Sequence, residues 1–514
     1  MTPPPDNPSL VQTAAPTLPE IQTAASLSAY PNVNNLSVVI TPAPRRIYRK
    51  PVNIIAKICR KPCNTSQGKI KHQLFGGIVS DIENLTNDYS RQPVPDDQLV
   101  SGWKVALIIF GIGFTLPIYY LGSELGLRLG LKHAAMAFFG GSLLLGVLAA
   151  ITSYVGARTR LSSYMIIEFS FGRKGAKFVN ILMAAGLLGY YAATADIFGH
   201  AVADIVRQMT GYGGGHAIYA LIGSAVMTLT AIFGFNAIQR LASFSVPAVA
   251  IFLGYVVYLA ITKSTWGVVS HFPGQPGASL GLAISTVIGS CVQGAVLMPD
   301  VSRFARSGVD GIKGAVGSTF GYPVIFTAAA IATIATGDKD IMMIMIGLGV
   351  MVLALFTIML STWMTNTINL YSTSLTLATV FTKVKDWKLT LFASVIGTAA
   401  AMIGIQDHIT TFFLLLGIVI PPVAGIYVVD YFIFSDRAYT LKLLQARKPV
   451  NPMAFAAWGI SSLLGYLTST GKLHLTSVPA MDALIAAGVL YFALSKLVPA
   501  SIVTPDASEA HQES

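Results

Sequence analysis

The feature that most constrains this chain is a series of apolar stretches, beginning at Trp103, each long enough to cross a bilayer as a helix. Only 11% of the 514 residues are charged, whereas soluble domains carry roughly 25%. The charged surface that a soluble enzyme of this size needs is therefore missing. The stretches also lack the alternation of apolar and polar residues that outer-membrane barrel strands show. The sequence predicts an all-α polytopic membrane protein.

Hydropathy predicts twelve transmembrane spans. Their approximate bounds are 103–121, 133–154, 177–199, 216–236, 241–262, 279–298, 314–336, 349–373, 388–405, 409–432, 452–469 and 479–498. Basic residues concentrate in alternate connecting segments, for example at Arg158, Lys177 and Lys385. The positive-inside rule places these segments, and with them both termini, in the cytoplasm. The net charge of +11 is thus explained by topology, and we predict no nucleic-acid partner.

The N-terminal segment 1–100 differs from the rest of the chain. It is rich in Pro, Ser, Thr and Asn, carries a basic cluster between Arg45 and Lys71, and has no long apolar run. This composition predicts a disordered basic cytoplasmic tail. Cys59 and Cys63 in this tail give only a weak metal-binding signal, and together with Cys291 they are predicted to be reduced thiols.

Two spans carry residues that interrupt helices. Span 1 contains Gly111, Gly113 and Pro117, and span 6 contains the segment Gly289–Gly294 followed by Pro299. Interruptions five spans apart predict an inverted repeat of spans 1–5 and 6–10, whose broken helices bind solute near the bilayer midplane. Freed carbonyls are costly in hydrocarbon unless a cation or a polar solute binds them. Taken singly, each span is also compatible with ordinary packing glycines and proline kinks.

Span 8 contains an unusually polar patch with Ser361, Thr365, Asn366 and Asn369. Amides in hydrocarbon need partners, so they either connect helices or face a cavity. The two hydroxyl residues in the same patch favour a cavity. Asp196 and His200 lie farther out along span 3 and are expected at the membrane interface.

Motifs of enzyme active sites are not found in the spans. The sequence has no phosphate-binding P-loop, no paired-carboxylate cleft and no Ser/His/Asp series there. An enzyme is therefore not predicted, and uphill transport would have to use an ion gradient.

Several segments resemble motifs of the nucleobase:cation symporters. They are Gly156–Leu161 with Phe169–Gly172, Pro299–Phe304, Trp363–Asn366 with Leu370–Ser372, and Pro421–Gly425 followed by Asp430 and Tyr431. The similarity covers residues 90–435 in the same order and is strongest to the bacterial cytosine permeases of the purine-cytosine permease family.

The resemblance implies a leucine-transporter-type fold, with ten core helices in two inverted halves at 101–435 and two peripheral helices at 436–499. A cytoplasmic C-terminal tail follows at 500–514. It further implies a monomer in the bacterial inner membrane that imports a nucleobase or related heterocycle with Na⁺ or H⁺, without a cofactor.

The resemblance also implies two sets of site residues. Substrate contacts are expected at Thr115, Leu187, Tyr190, Tyr191, Ser290, Cys291, Gln293 and Asn366. A cation site, made of carbonyls from span 1 and oxygens from span 8, is expected at Gly111, Phe114, Ser361 and Thr365, because hard cations prefer oxygen ligands.

Five residues depart from the family pattern, and one of them is Glu168, which stands where the motif usually has Arg. Leu187 and Cys291 stand where aromatic residues of spans 3 and 6 are expected, Gln293 replaces a smaller hydroxyl residue, and Met364 replaces a hydroxyl that usually helps to bind Na⁺. Other hypotheses therefore stay open. These are a permease for hydantoin, allantoin or a thiamine precursor, an amino-acid symporter of the same fold, and a transporter-like sensor whose basic tail carries the output.

Overall fold

The computed structural model describes residues 89, 92–113, 115–212, 214–337, 344, 348–403, 409–473, 475–476 and 478–497. Most of the predicted N-terminal tail, the predicted C-terminal tail and Phe114 lie outside the described residues. The predictions for these segments therefore stay predictions.

The described residues form helices joined by short connections, and the only β-type pairing among them is an isolated bridge between Val100 and Ala305. The helices are α1 Gly102–Gly113, α2 Leu116–Thr159, α3 Ser163–Phe171, α4 Gly175–Thr210, α5 His216–Ile232, α6 Gly234–Lys263, α7 Trp266–Ser270, α8 Leu280–Val296, α9 Pro299–Ser302, α10 Gly308–Gly314, α11 Val316–Thr336, α12 Met351–Val380, α13 Asp386–Met402, α14 Ile409–Val419, α15 Pro421–Val429, α16 Leu441–Ala446, α17 Pro452–Ser469 and α18 Pro479–Leu497. The predicted all-α class is confirmed for the part of the chain that the structure describes.

Eight helical segments among the described residues are long and apolar enough to cross a membrane. Two shorter apolar helices, α1 and α5, accompany them. A chain with this many apolar helices is an integral membrane protein. The count of twelve spans stays a prediction.

The predicted interruption of the first span is present between α1 and α2. α1 ends at Gly113, and Thr115 has an extended backbone with φ −129° and ψ 146°. The Thr115 N–H donates to the Gly113 carbonyl at 2.8 Å. Pro117 lies in the first turn of α2, where a helix requires no backbone donor.

The interruption predicted in the sixth span is displaced. The segment Gly289–Gly294 is continuous helix within α8, which ends only at Val296. The prediction at these glycines was wrong because they serve close packing: a Cβ at Gly417 would lie 3.1 Å from the Gly289 Cα. The break comes just before Pro299, which starts the short helix α9.

Side-chain hydroxyls bind the carbonyls next to this second break. Pro299 has no N–H, so it cannot donate to the carbonyl of Ala295 four residues earlier. The Thr152 Oγ1 donates to that carbonyl at 2.7 Å. The Tyr427 hydroxyl donates to the carbonyl of Val296 at 2.8 Å. The chain itself therefore satisfies carbonyls that the sequence argument had left to a solute or a cation.

The predicted connection between the first two spans, 122–132, is helical. α2 continues through it and departs from helical geometry only at Gly130, whose φ is +71°. A Cβ at Gly130 would collide with the carbonyl of Phe272. The Gln275 N–H donates to the Arg128 carbonyl at 2.7 Å in the same contact. Glycine supplies both the backbone angle and the space.

Small residues let α2 and α11 approach each other closely. A Cβ at Gly126 would lie 2.6 Å from the Ala330 Cβ, and one at Gly122 would lie 2.7 Å from the Phe326 carbonyl oxygen. Without a hydrophobic driving force between helices in lipid, such close van der Waals contact is a main source of stability. This contact fixes one wall of the site described below.

Glu168 on the connecting helix α3 gives a pH-dependent prediction. Burial raises the pKa of its carboxyl to about 7, although the nearby positive charges of Arg173 and Lys177 act to lower it. The unfolded chain ionises this group near its ordinary pKa of about 4.5. Between these values the unfolded state loses its proton first, so the folded state loses stability as pH rises.

Glu168→Gln is therefore expected to raise the free energy of unfolding at pH 8 by about 1–3 kcal/mol. At pH 4, below both pKa values, the difference should nearly vanish. Melting curves in detergent at both pH values measure the effect. Equal melting temperatures of the variant and the parent at pH 8 would contradict the predicted cost of ionising Glu168.

Candidate substrate site

A cavity of about 70 Å³ lies between α1, α2, α4, α8, α9, α11 and α12. One water molecule needs roughly 10–15 Å³ on this measure, so the cavity has room for several waters or a small solute. Its lining is mostly apolar with a few polar groups, which is typical of small-molecule sites. The lining residues are Ile109, Ile112, Ile118, Leu187, Tyr190, Ser290, Cys291, Gln293, Gly294, Leu297, Met298, Val301, Tyr322, Thr365, Ile368, Asn369 and Ser372.

Five of the eight predicted substrate residues line this cavity, namely Leu187, Tyr190, Ser290, Cys291 and Gln293. They come from α4 and α8. The cavity therefore brings together residues of two spans that sequence reasoning selected separately. Thr115 is buried beside Tyr190 but is not part of the lining.

The adjacent tyrosines of α4 have different surroundings. Tyr190 lines the cavity, whereas Tyr191 is fully buried against α13. The Tyr191 hydroxyl lies 3.4 Å from the Thr398 Oγ1 on α13, and its ring fills the space next to Gly397. The structure thus leaves Tyr190 as the α4 aromatic that a solute in the cavity contacts.

The two amides of α12 also differ. Asn366, the predicted substrate residue, donates to the Tyr191 carbonyl at 3.2 Å and does not line the cavity. Asn369, one turn later, lines the cavity, and its Nδ2 donates to the Asn366 Oδ1 at 3.4 Å. Asn366 therefore connects α12 to α4 and supports Asn369. Sequence reasoning identified the polar patch but not which amide faces the cavity.

Gln293 is held against the α4 backbone. Its Nε2 donates to the Met183 carbonyl at 3.1 Å. A Cβ at Gly186 would lie 2.9 Å from this Nε2 and 3.2 Å from the Oε1. Gly186 therefore leaves space for the amide to lie flat on α4. This contact positions a polar group at the cavity wall.

Tyr322 on α11 is a lining residue that the sequence did not reveal. It is 3% exposed, so its ring faces the cavity from a packed position. A Cβ at Gly113, where α1 ends, would lie 2.6 Å from the Tyr322 Cδ1. No motif pointed to this tyrosine. Its proximity to Tyr190 and Cys291 makes it a second aromatic surface at the site.

Among the described residues predicted for the cation site, Thr365 lines the cavity, whereas Gly111 and Ser361 do not. The buried Oγ1 of Thr365 has no hydrogen-bond partner among the described residues. The Ser361 hydroxyl donates to the carbonyl of Ile358 at 3.1 Å. Gly111 packs against Val246 and the Met364 side chain. One unpartnered hydroxyl oxygen and a neighbouring thioether fit a hard cation only in part, because such ions prefer several oxygens.

A polar network lies beyond the cavity at the start of α9. Arg303 is fully buried, and its guanidinium donates to the Tyr371 hydroxyl and to the Tyr89 carbonyl, both at 2.8 Å. The Asp300 Oδ1 accepts from the Ser163 N–H at 2.9 Å. These contacts connect α9 and Arg303 to α3, α12 and the segment at Tyr89.

A cavity between interrupted helices in a bundle of apolar spans is the arrangement of a membrane transport protein. A sequence family described as permeases for cytosine/purines, uracil, thiamine and allantoin matches residues 93–490. The chain belongs to this family and is a permease, which confirms the resemblance inferred from its motifs.

Two permeases are similar to this chain over most of their length. The cytosine permease of Escherichia coli (strain K12) is 27% identical over 415 residues, which are 80% of this chain and 95% of the relative. A hydantoin permease of Microbacterium maritypicum is 22% identical over 423 residues, which are 76% of this chain and 86% of the relative.

Solved structures show the same fold. Mhp1, a nucleobase-cation-symport-1 family transporter in a closed conformation with bromovinylhydantoin bound, superposes with a TM-score of 0.74 at 20% identity, over 84% of this chain and 99% of Mhp1. A Na⁺-coupled sialic acid symporter superposes with a TM-score of 0.63 at 12% identity, over 86% of this chain and all of that chain. The described helices thus have the fold of these transporters.

Proposed function

We propose that this permease is a secondary symporter that imports a nucleobase or a related heterocycle, with Na⁺ or H⁺ as the coupling ion. The observation that carries the proposal is the cavity, which the aromatic residue Tyr190 lines together with the amide residues Gln293 and Asn369. An aromatic face suits a flat ring, and an amide offers a donor and an acceptor to the ring's polar edge. Cytosine, purine, hydantoin, allantoin and a thiamine precursor all have this chemistry.

The proposed mechanism is alternating access around the two helix breaks. We assign the helices to twelve spans, with an inverted repeat of spans 1–5 and 6–10 and two peripheral spans. The breaks before Leu116 and before Pro299 support this assignment, because broken helices in corresponding positions of two repeats are typical of such carriers. We further propose a monomer in the bacterial inner membrane with both termini in the cytoplasm.

Purified protein screened for thermal stabilisation tests the substrate class. Nucleobases, hydantoins, allantoin and thiamine precursors are compared, each with and without Na⁺, because ligands that bind the folded state raise its apparent stability. Hits are then followed as radiolabelled uptake into proteoliposomes. Stabilisation by amino acids and by none of the heterocycles would favour an amino-acid symporter instead.

Deletion of residues 1–85 separates the symporter from the sensor hypothesis. A symporter should retain uptake without this segment, because the cavity residues all lie after it. Binding without uptake in the full chain, together with an output lost on deletion, would favour the sensor.

Thr365 gives a test of the coupling ion. Thr365→Ala removes the unpartnered cavity hydroxyl, so the Na⁺ concentration needed for half-maximal uptake is expected to rise by about tenfold, because even loss of a residue behind a metal ligand costs about 10- to 100-fold in affinity. Thr365→Ser keeps the hydroxyl and is the matched control. If uptake by the parent is independent of Na⁺ and is abolished by a protonophore, the coupling ion is H⁺.

A further inference from the structure

A second cluster of chemically active side chains lies at the C-terminal end of α4. Asp196 and His200 are one turn apart on this helix, and His216 is the first residue of α5. The His200 Nδ1 lies 3.2 Å and the His216 Nε2 lies 3.9 Å from the same carboxylate oxygen, Oδ1 of Asp196. One potential ligand atom from each side chain lies within 4.8 Å of the other two. The three side chains therefore lie close enough together to share one ion.

The local fold explains why residues from two helices meet here. Gly211, with φ +72°, ends α4 and lets the chain turn back into α5. Gly199 allows a close approach of the two helices, since a Cβ there would lie 2.7 Å from the His216 carbonyl oxygen. The relation between Asp196 and His200 is visible in the sequence, but the position of His216 depends on this turn.

The Asp196 carboxylate is buried without donors. Its side chain is 1% exposed, and neither oxygen accepts a hydrogen bond from the residues that the structure describes. A buried carboxylate is strongly unfavourable unless positive charge or donors compensate it. The nearby groups able to supply that compensation are the two imidazoles, either as protonated rings or as ligands of a shared cation.

The geometry of the imidazoles favours a shared cation. Their rings stack with centroids 3.9 Å apart and planes inclined by 15°, so two protonated rings would repel each other. A single divalent ion bound by neutral imidazoles avoids this repulsion and neutralises the carboxylate. The His200 Nδ1 also lies 3.1 Å from its own helix's Asp196 carbonyl, and metal binding would replace the proton of that contact.

The ligand set identifies the class of metal. Two imidazole nitrogens and one carboxylate are typical of Zn²⁺ and similar transition metals, whereas Mg²⁺ and Ca²⁺ prefer oxygen ligands alone. Both histidines are partly exposed, so water can complete the coordination. We propose that Asp196, His200 and His216 form a Zn²⁺-type site that links the end of α4 to the start of α5. This site does not depend on the proposed substrate.

A Co²⁺ titration followed by visible absorbance tests the site, with Zn²⁺ as competitor. The full chain is used after removal of any polyhistidine tag, with Cys59→Ser and Cys63→Ser introduced so that these thiols do not bind metal. We expect one Co²⁺ per chain, displaced by Zn²⁺ and not by Mg²⁺. Asp196→Asn and His216→Ala are each expected to weaken binding by at least about tenfold, because even loss of a residue behind a ligand costs 10- to 100-fold.

The matched control is His271→Ala, which removes a histidine from another exposed helix end and should leave Co²⁺ affinity unchanged. His216→Gln is a second variant that keeps side-chain volume if the alanine variant folds poorly, and size-exclusion profiles verify folding. Unchanged affinity in folded Asp196→Asn and His216→Gln, or absence of Co²⁺ binding in the parent, would overturn the proposal. Equal weakening by His271→Ala would also overturn it.

Discussion

Tyr190→Ala is expected to weaken heterocycle binding by about 5- to 150-fold, which corresponds to the ~1–3 kcal/mol that base stacking on an aromatic side chain provides. The reason is that Tyr190 is the α4 aromatic that lines the cavity. Equilibrium binding of a radiolabelled ligand, identified by the thermal screen, measures the change. Tyr190→Phe retains the ring and should keep most of the affinity.

The matched control for this experiment is the neighbouring tyrosine. Tyr191→Phe removes only a hydroxyl that lies 3.4 Å from Thr398 and does not line the cavity, so the dissociation constant should not change. Native affinity in Tyr190→Ala would remove stacking on Tyr190 from the proposed site. Tyr322 would then be the aromatic to replace next.

Asn369→Ala is expected to weaken binding by a similar factor, about 5- to 150-fold, because a polar group of the solute would lose its partner in a buried site at a cost of ~1–3 kcal/mol. The measured quantity is again the dissociation constant. The melting temperature of the ligand-free protein is measured in parallel, so that loss of a binding group can be distinguished from loss of stability.

Asn366→Ala serves as the comparison for Asn369. Since Asn366 donates to the Tyr191 carbonyl, its loss should lower the melting temperature of the ligand-free protein more than Asn369→Ala does. If Asn366→Ala instead weakened binding strongly at an unchanged melting temperature, the amide at position 366 would contact solute directly, as the family resemblance had implied.

The sequence predicted the first helix break because its cause is local. Pro117 and its neighbouring glycines restrict the backbone wherever the chain is placed. The second break was predicted at Gly289–Gly294, where glycine serves helix contact instead. Glycine permits both uses, and only the position of Gly417 against Gly289 shows which applies. Proline has fewer uses, and Pro299 proved the better indicator.

The site was predictable to the level of spans and less so to the level of side chains. Tyr190 and Tyr191 have the same chemistry and adjacent positions, and the packing of Gly397 against Tyr191 decides their roles. Asn366 and Asn369 are one turn apart, and the choice between them depends on how α12 is rotated. Tyr322 comes from a span without a recognisable motif, so its role required the three-dimensional arrangement.

The hydroxyls of Thr152 and Tyr427 have a consequence for the return step of a carrier. They bind the Ala295 and Val296 carbonyls from within the chain, so the kinked backbone needs no partner from a bound solute. In the alternating-access cycle proposed above, the protein returns without its solute, and a kink stabilised by the chain itself would keep its hydrogen bonds in that step. The hydrogen bonds from Thr152 and Tyr427 would therefore stabilise the second helix break with or without solute.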